Sequence, residues 1–266
     1  MSSLVLSALY VYPVKSLGGL SVPRWPVGAR GPELDRRWML VDPAGAFLSQ
    51  RRLPRMTLVS ARPRAGELRL SAPGMPELVL PLDCGTGAER EVVVWRDRCM
   101  ARDAGDEAAE WLGRFLGTSC RLVCLPDDRV RAVDPEFARP GDQVGFADGF
   151  PFLVIARASL DDLNARLPEP LSMVRFRPNL VIGGATPYAE DGWRRIRVGA
   201  LELRLVKPCS RCTVPTVDPA TGERGPEPLR TLTGYRRRGN KVYFGQNAVH
   251  DGIGELAVGD PVEVLE

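Results

Sequence analysis

Lys207-Pro208-Cys209-Ser210-Arg211-Cys212-Thr213-Val214-Pro215-Thr216-Val217-Asp218-Pro219 follows a strand-like run, Leu201 to Val206. How that junction is read decides the fold. A Cys-x-x-Cys opening a helix inside a βαβ unit would make the chain an α/β redox protein of thioredoxin type. Pro215 and the Thr216–Pro219 run oppose a helix, and the flanking residues are strand formers. The stretch therefore reads as a strand end emptying into a turn-rich loop, which is where reactive groups tend to sit.

The β reading extends outward. Leu4 to Val11, Trp38 to Val41, residues 57–61, 67–72, 77–82 and 90–95, Cys120 to Cys124, Phe152 to Ile155, Leu180 to Ile182, Val242 to Phe244 and Val262 to Leu265 all read as short strands. Asp42-Pro43-Ala44-Gly45 is a type I turn with Phe47 to Gln50 returning beyond it, and a hairpin turns at Gly199. Helices are few. One is capped by Asp103, presents Trp111, Leu112, Phe115 and Leu116 on one face, and stops at Gly117. Another starts at Ser159, with Asp162 completing a capping box, and a third covers residues 228–236. Residues 126–142, charged and proline-rich, read as the linker between two halves. The expected class is mainly β with a few helices, and no internal repeat is visible.

The 266 residues are 44% hydrophobic and 26% charged, enough for a sizeable core. A net charge of +3, with arginines dispersed among acidic residues, excludes a nucleic-acid binder of the usual one-faced kind. The N-terminal apolar run is too short to span a bilayer and has no signal-peptide features, so a cytoplasmic protein without membrane insertion is expected. Lysine occurs only at 15, 207 and 241.

Six cysteines in a chain of this size are not a disulfide scaffold. Cys120 and Cys124 share a strand face and read as small core residues. A closed zinc site at Cys209 and Cys212 lacks partners, because the only histidine, His250, lies in an expected loop and no second Cys-x-x-Cys exists. Two readings stay open: two small core cysteines, or one thiolate ligating a metal whose other ligands come from a cofactor. Elsewhere the residues alone are bland. Lys15 and Ser16 precede Gly18-Gly19 without phosphate-loop spacing, so an exposed loop lysine is the simpler reading. Arg36 reads as a surface ion pair with Asp35 or Glu33, Asp148 as a turn residue, and the spacing of Arg177 and Asn179 proves no site.

Nine stretches taken together are more specific: Tyr12-Pro-Val-Lys-Ser16, Asp35-Arg-Arg-Trp38, Ala158-Ser-Leu-Asp-Asp-Leu-Asn164, Phe176-Arg-Pro-Asn179, Tyr188-Ala-Glu-Asp191, Cys209-Ser-Arg-Cys212, Thr216-Val-Asp-Pro219, Phe244-Gly-Gln246 and Val258-Gly-Asp-Pro261. In this order, over nearly the whole chain, they resemble the MOSC-domain proteins of the amidoxime-reducing type. The resemblance implies an N-terminal MOSC-associated β-rich domain over residues 1–125, whose first strands contribute to the cofactor site, and a MOSC β-barrel over 126–266. It implies a molybdenum cofactor (Mo-molybdopterin) with Cys212 as the protein ligand to the metal. Contacts to the pterin and its phosphate would fall on Lys15, Ser16, Arg36, Arg177, Asn179, Ser210 and Arg211. Asp148 matches a position near the metal and is the proton-transfer candidate.

The implied reaction is reduction of N-hydroxylated small molecules (amidoximes, hydroxylamines, N-hydroxylated bases) to the N–H form and water. The alternatives are a cofactor carrier or sulfur-transfer module, and a structural β-domain. Gly149-Phe150 and Asn247 depart from the animal proteins and bear on pocket shape. The sequence also carries no counterpart of those proteins' membrane anchor, or of the ferredoxin-like tail of some bacterial relatives. The expected electron source is a separate ferredoxin-, flavin- or cytochrome-type protein.

Overall fold

A computed structural model describes residues 3–266. The described residues are mainly β, with several sheets and three α-helices among them. No helix among the described residues is long and apolar enough to cross a membrane.

The largest sheet has nine strands. Its path runs Val262–Val264, Arg195–Val198, Leu201–Ser210, Lys241–Asp251, Phe152–Ala156, Leu180–Gly183, Val5–Val11 and Leu20–Val22, with Arg237–Arg238 pairing the start of the 241–251 strand. The first strand of the chain therefore completes a sheet built by the second half. It pairs antiparallel with Leu180–Gly183, Leu9 opposite Leu180. This long-range pairing carries the Tyr12–Ser16 segment to the Arg177–Asn179 segment. Phe152–Ala156 and Leu180–Gly183 run parallel, which demands a crossover. The helix Arg157–Asn164 and the 3-10 turn Met173–Phe176 supply it. The strands are apolar throughout because both faces are covered: Val154 and Ile182 face one core, Ile155 and Val181 the other.

A four-stranded sheet lies beside it in the order Trp38–Val41, Arg121–Cys124, Asp97–Asp103, Glu89–Val94. The helix Asp106–Leu116 buries Trp111, Leu112, Phe115 and Leu116 and stops at Gly117 in the left-handed conformation, where the missing Cβ makes the stop cheap. The Asp42–Gly45 turn forms, with the Gly45 N–H donating to Asp42 O at 2.9 Å.

Several sequence expectations are corrected. Residues 54–58 form a 3-10 turn opened by Pro54, and the strand begins only at Ser60. Gly105, not Asp103, is the helix N-cap; the Asp103 carboxylate is held by Arg90 and Arg121. The expected capping box is absent. The helix starts at Arg157, and Ser159 Oγ donates to the buried Glu190 carboxylate at 2.8 Å. The 126–142 segment, read as the linker, is tied to the fold by Arg131, which is buried and donates to Gly145 O and Ala147 O. Cys120 is a buried free thiol, whereas Cys124 is bonded to Cys84. His250 lies within the 241–251 strand, Nδ1 at 2.6 Å from Gly252 O.

The run expected to end at Val206 continues as strand to Ser210. Opposite it, Pro208 pairs with Gln246 and Ser210 with Tyr243, so Cys209 alone faces two residues and the extra one falls at Phe244–Gly245. Gly245 has φ +81°, and a Cβ there would lie 2.7 Å from Ile155 Cγ1. Such a bulge re-aims the end of a strand, here the one carrying Cys209. Gly245→Ala is expected to cost about 1–3 kcal/mol, read as a lower urea midpoint at unchanged slope.

Candidate functional site

The site is built on the return from the first strand. Tyr12 is 1% exposed, and two guanidiniums lie against its ring: Arg36 Cζ is 4.4 Å and Arg177 Cζ 4.2 Å from the ring centroid. Arg36 Nη1 donates to Asn179 Oδ1 at 3.2 Å, and Nη2 to Arg177 O at 3.2 Å. Asn179, fully buried, also accepts the Leu153 N–H and donates to Tyr10 O. It ties three strands together and points Arg36. Asp35 is buried, pairs with Arg36 and accepts the Tyr12 N–H at 2.8 Å. The expected surface pair is thus an interior one.

Lys15 is only 5% exposed, against the expectation of an open loop lysine. Its ammonium donates to Phe146 O at 2.7 Å and pairs with Asp148. Burial lowers the Lys15 pKa, with Asp148 opposing. At Asp148 desolvation works against ionisation. The Lys15 charge, its hydrogen bond and the Trp95 indole N–H outweigh it, and the carboxyl is held well below the usual range. Ser16 accepts the Gln50 side-chain N–H on its carbonyl.

Ser16, Arg36 and Arg177 have φ of +66°, +47° and +57°. For residues with a Cβ this conformation costs roughly 1–2 kcal/mol each. Three such residues meeting in one place mark a site whose surroundings enforce the geometry.

Arg177 distinguishes this cluster from a structural salt bridge. Its Nη1 donates to Leu17 O at 2.6 Å, while the buried Nη2 has no partner. No carboxylate pairs with it among the described residues, and burial, then the Arg36 charge, pushes its pKa down to about 10. Arg211 reaches the same region. Nη2 donates to Phe176 O at 2.8 Å and Nη1 to Cys209 Sγ at 2.9 Å, while Nε is buried without a partner. Lys15, Arg36, Arg177 and Arg211 carry four positive charges against the two carboxylates of Asp35 and Asp148. An excess of cations, one buried and three partly buried, with unused N–H groups is the chemistry of an anion site.

Ser210 is exposed at the strand end, and Cys212 is a partly buried free thiol two residues on. Among the described residues no three His, Cys, Asp or Glu side chains gather as a metal site. Arg36, Arg177, Asn179 and Arg211 are linked through the contacts above, and the Phe146 N–H, donating to Arg36 O at 2.7 Å, brings the Lys15–Asp148 pair beside them. Ser16 and Ser210 flank them, and no contact ties Cys212 to the group. Reading the residues alone overlooked Tyr12 and Asp35. Asp35 stands next to Arg36 in sequence, the one signal that could have flagged it.

Residues 3–119 match the MOSC N-terminal beta barrel domain, and residues 141–263 match the MOSC domain. Mitochondrial amidoxime-reducing component 1 of Mus musculus is 38% identical over 98% of this chain and 82% of its own length. The Homo sapiens protein of that name is 36% identical over the same shares. Molybdenum cofactor sulfurase of Danio rerio is 33% identical over 94% of this chain, which spans 32% of that protein. With both MOSC parts in order, and more than a third of its residues shared with the amidoxime-reducing components along nearly its whole length, the protein belongs to the MOSC family and is a homologue of those components.

Proposed function

We propose that the protein binds a molybdenum cofactor and reduces N-hydroxylated small molecules, R–NH–OH + 2 e⁻ + 2 H⁺ giving R–NH₂ + H₂O. The observation that carries this is the partly buried, carboxylate-free Arg177, whose buried Nη2 has no partner and whose guanidinium lies with that of Arg36 on the Tyr12 ring, in a homologue of amidoxime-reducing components. A phosphate-ended, polar pterin fits these residues. Arg36 and Arg177 would hold the anionic end, with Lys15, Ser16, Ser210 and Arg211 around it and Asn179 fixing Arg36. Cys212 would supply the thiolate to the metal. When bound, the cofactor supplies the two-electron removal of oxygen from nitrogen.

The chain's own part is binding, orientation and proton handling. Asp148 stays ionised and shares a hydrogen bond with the Lys15 ammonium, while its side chain is 64% exposed. The Lys15 ammonium, made more acidic by burial, can hand a proton to the departing oxygen, and the ionised Asp148 takes part by holding that ammonium and guiding its reprotonation from solvent. The electrons would come from a separate ferredoxin-, flavin- or cytochrome-type protein.

The likeness to a molybdenum cofactor sulfurase supports a second reading, in which Cys212 carries cofactor or sulfur without turnover. Protein purified from cells that make the cofactor separates the two. Reduced methyl viologen as electron source should drive reduction of benzamidoxime and 6-hydroxylaminopurine. Metal-loaded protein that turns over neither substrate would establish the carrier reading instead.

A further inference from the structure

Trp95 lies outside every motif discussed so far. It occupies the two-residue turn Trp95-Arg96, closed by pairing of Val94 with Asp97. Such turns favour Asn and Gly because their backbone is left-handed. Trp95 adopts φ +59° there, a poor place for a bulky side chain.

The turn is tied at two points to the segment that carries Asp148. The Trp95 indole N–H donates to Asp148 Oδ1 at 3.1 Å. Arg131 donates to Asp97 Oδ2 at 2.8 Å and to Gly145 O and Ala147 O at 2.7 and 2.6 Å. Arg51 Cζ stands 4.3 Å from the indole centroid and the Phe47 ring 5.1 Å away. Despite these supports Trp95 remains 47% exposed. A rigid indole and an open carboxylate thus sit side by side next to Lys15.

We infer that Trp95 is a specificity-determining residue, a platform that selects planar, conjugated N-hydroxylated substrates over aliphatic hydroxylamines. The inference rests on the reductase reading for its substrate class. A conjugated plane stacks on indole, while Asp148 accepts an N–H from the amidoxime, hydroxyguanidine or base edge in that plane. A small aliphatic hydroxylamine offers no plane to stack.

The test compares wild type with Trp95→Gly and Trp95→Phe. Glycine suits the left-handed turn, so Trp95→Gly keeps or raises the Tm. With chemical reductant, Trp95→Gly should raise KM for benzamidoxime about five- to tenfold while KM for N-methylhydroxylamine is unmoved; both variants lose the indole N–H to Asp148, so any fall in kcat is shared by the two substrates, and Trp95→Phe should recover most of the KM loss. Benzamidine, planar and not reducible, gives a readout free of turnover: it should quench wild-type tryptophan fluorescence more than that of Trp95→Phe. Equal KM changes for both substrates, or identical quenching in both proteins, overturns the platform. Absence of all turnover with the benzamidine difference intact would fault the reductase reading alone.

Discussion

Cys212→Ser is expected to lose benzamidoxime reduction by at least about 100-fold, more than the loss of an outer-shell partner brings, while Cys209→Ser stays near wild type. The two thiols are three residues apart, yet their surroundings differ. Cys209 lies on the 201–210 strand, packs against the Phe176–Phe244 core and takes the Arg211 N–H on sulfur. Serine there keeps an acceptor and costs on the order of 1 kcal/mol. Cys212 lies beyond the strand, free and partly buried, so serine removes a soft ligand with little effect on folding. Equal losses in both variants, accompanied by unfolding, would return the pair to core cysteines. Thermal melts beside steady-state assays decide it.

Arg177→Met is expected to weaken cofactor retention by about 100-fold or more, the worth of two charge-assisted hydrogen bonds, while leaving the stability of the cofactor-free protein within about 1 kcal/mol. A partly buried cation with an unpartnered N–H and no carboxylate is a cost that an anion offsets; an apolar chain of similar reach removes it. Arg36→Met should behave oppositely, because it strands the buried Asp35 carboxylate, and should destabilise by about 3–5 kcal/mol. Charge also gives a pH dependence. The folded pKa of Arg177, about 10, lies below its ordinary value, so its protonated form disfavours folding below that pH and the penalty relaxes above it. Anion binding runs the other way: retention holds below about pH 10 and falls as pH rises through it, measurable as phosphorus or pterin left after gel filtration.

Local rules made part of this molecule legible. Proline and glycine punctuation placed the Asp42–Gly45 turn and the stop at Gly117, and apolar runs placed the central strands. The rules failed where a side chain's partner is distant in sequence. Ser159 has the spacing of a cap but donates to Glu190 instead. The spacing Cys209-Ser-Arg-Cys212 left core and ligand readings open, and the site residues came from matching motifs to a family. Periodicity tells which face a residue takes, not which strand lies beside it. The pairing of Leu9 with Leu180 therefore could not be read, nor could the two guanidiniums on Tyr12 or the buried Asp35. Left-handed Ser16, Arg36 and Arg177 carry no local signal, because nothing in those residue types favours that backbone.

The most direct measurement is the molybdenum and pterin content of the protein purified from cells that make the cofactor. One molybdenum and one phosphate-ended pterin per chain is the expected result. Folded protein from such cells that carries neither would contradict the assignment of Arg36, Arg177 and Cys212 as the residues that hold them.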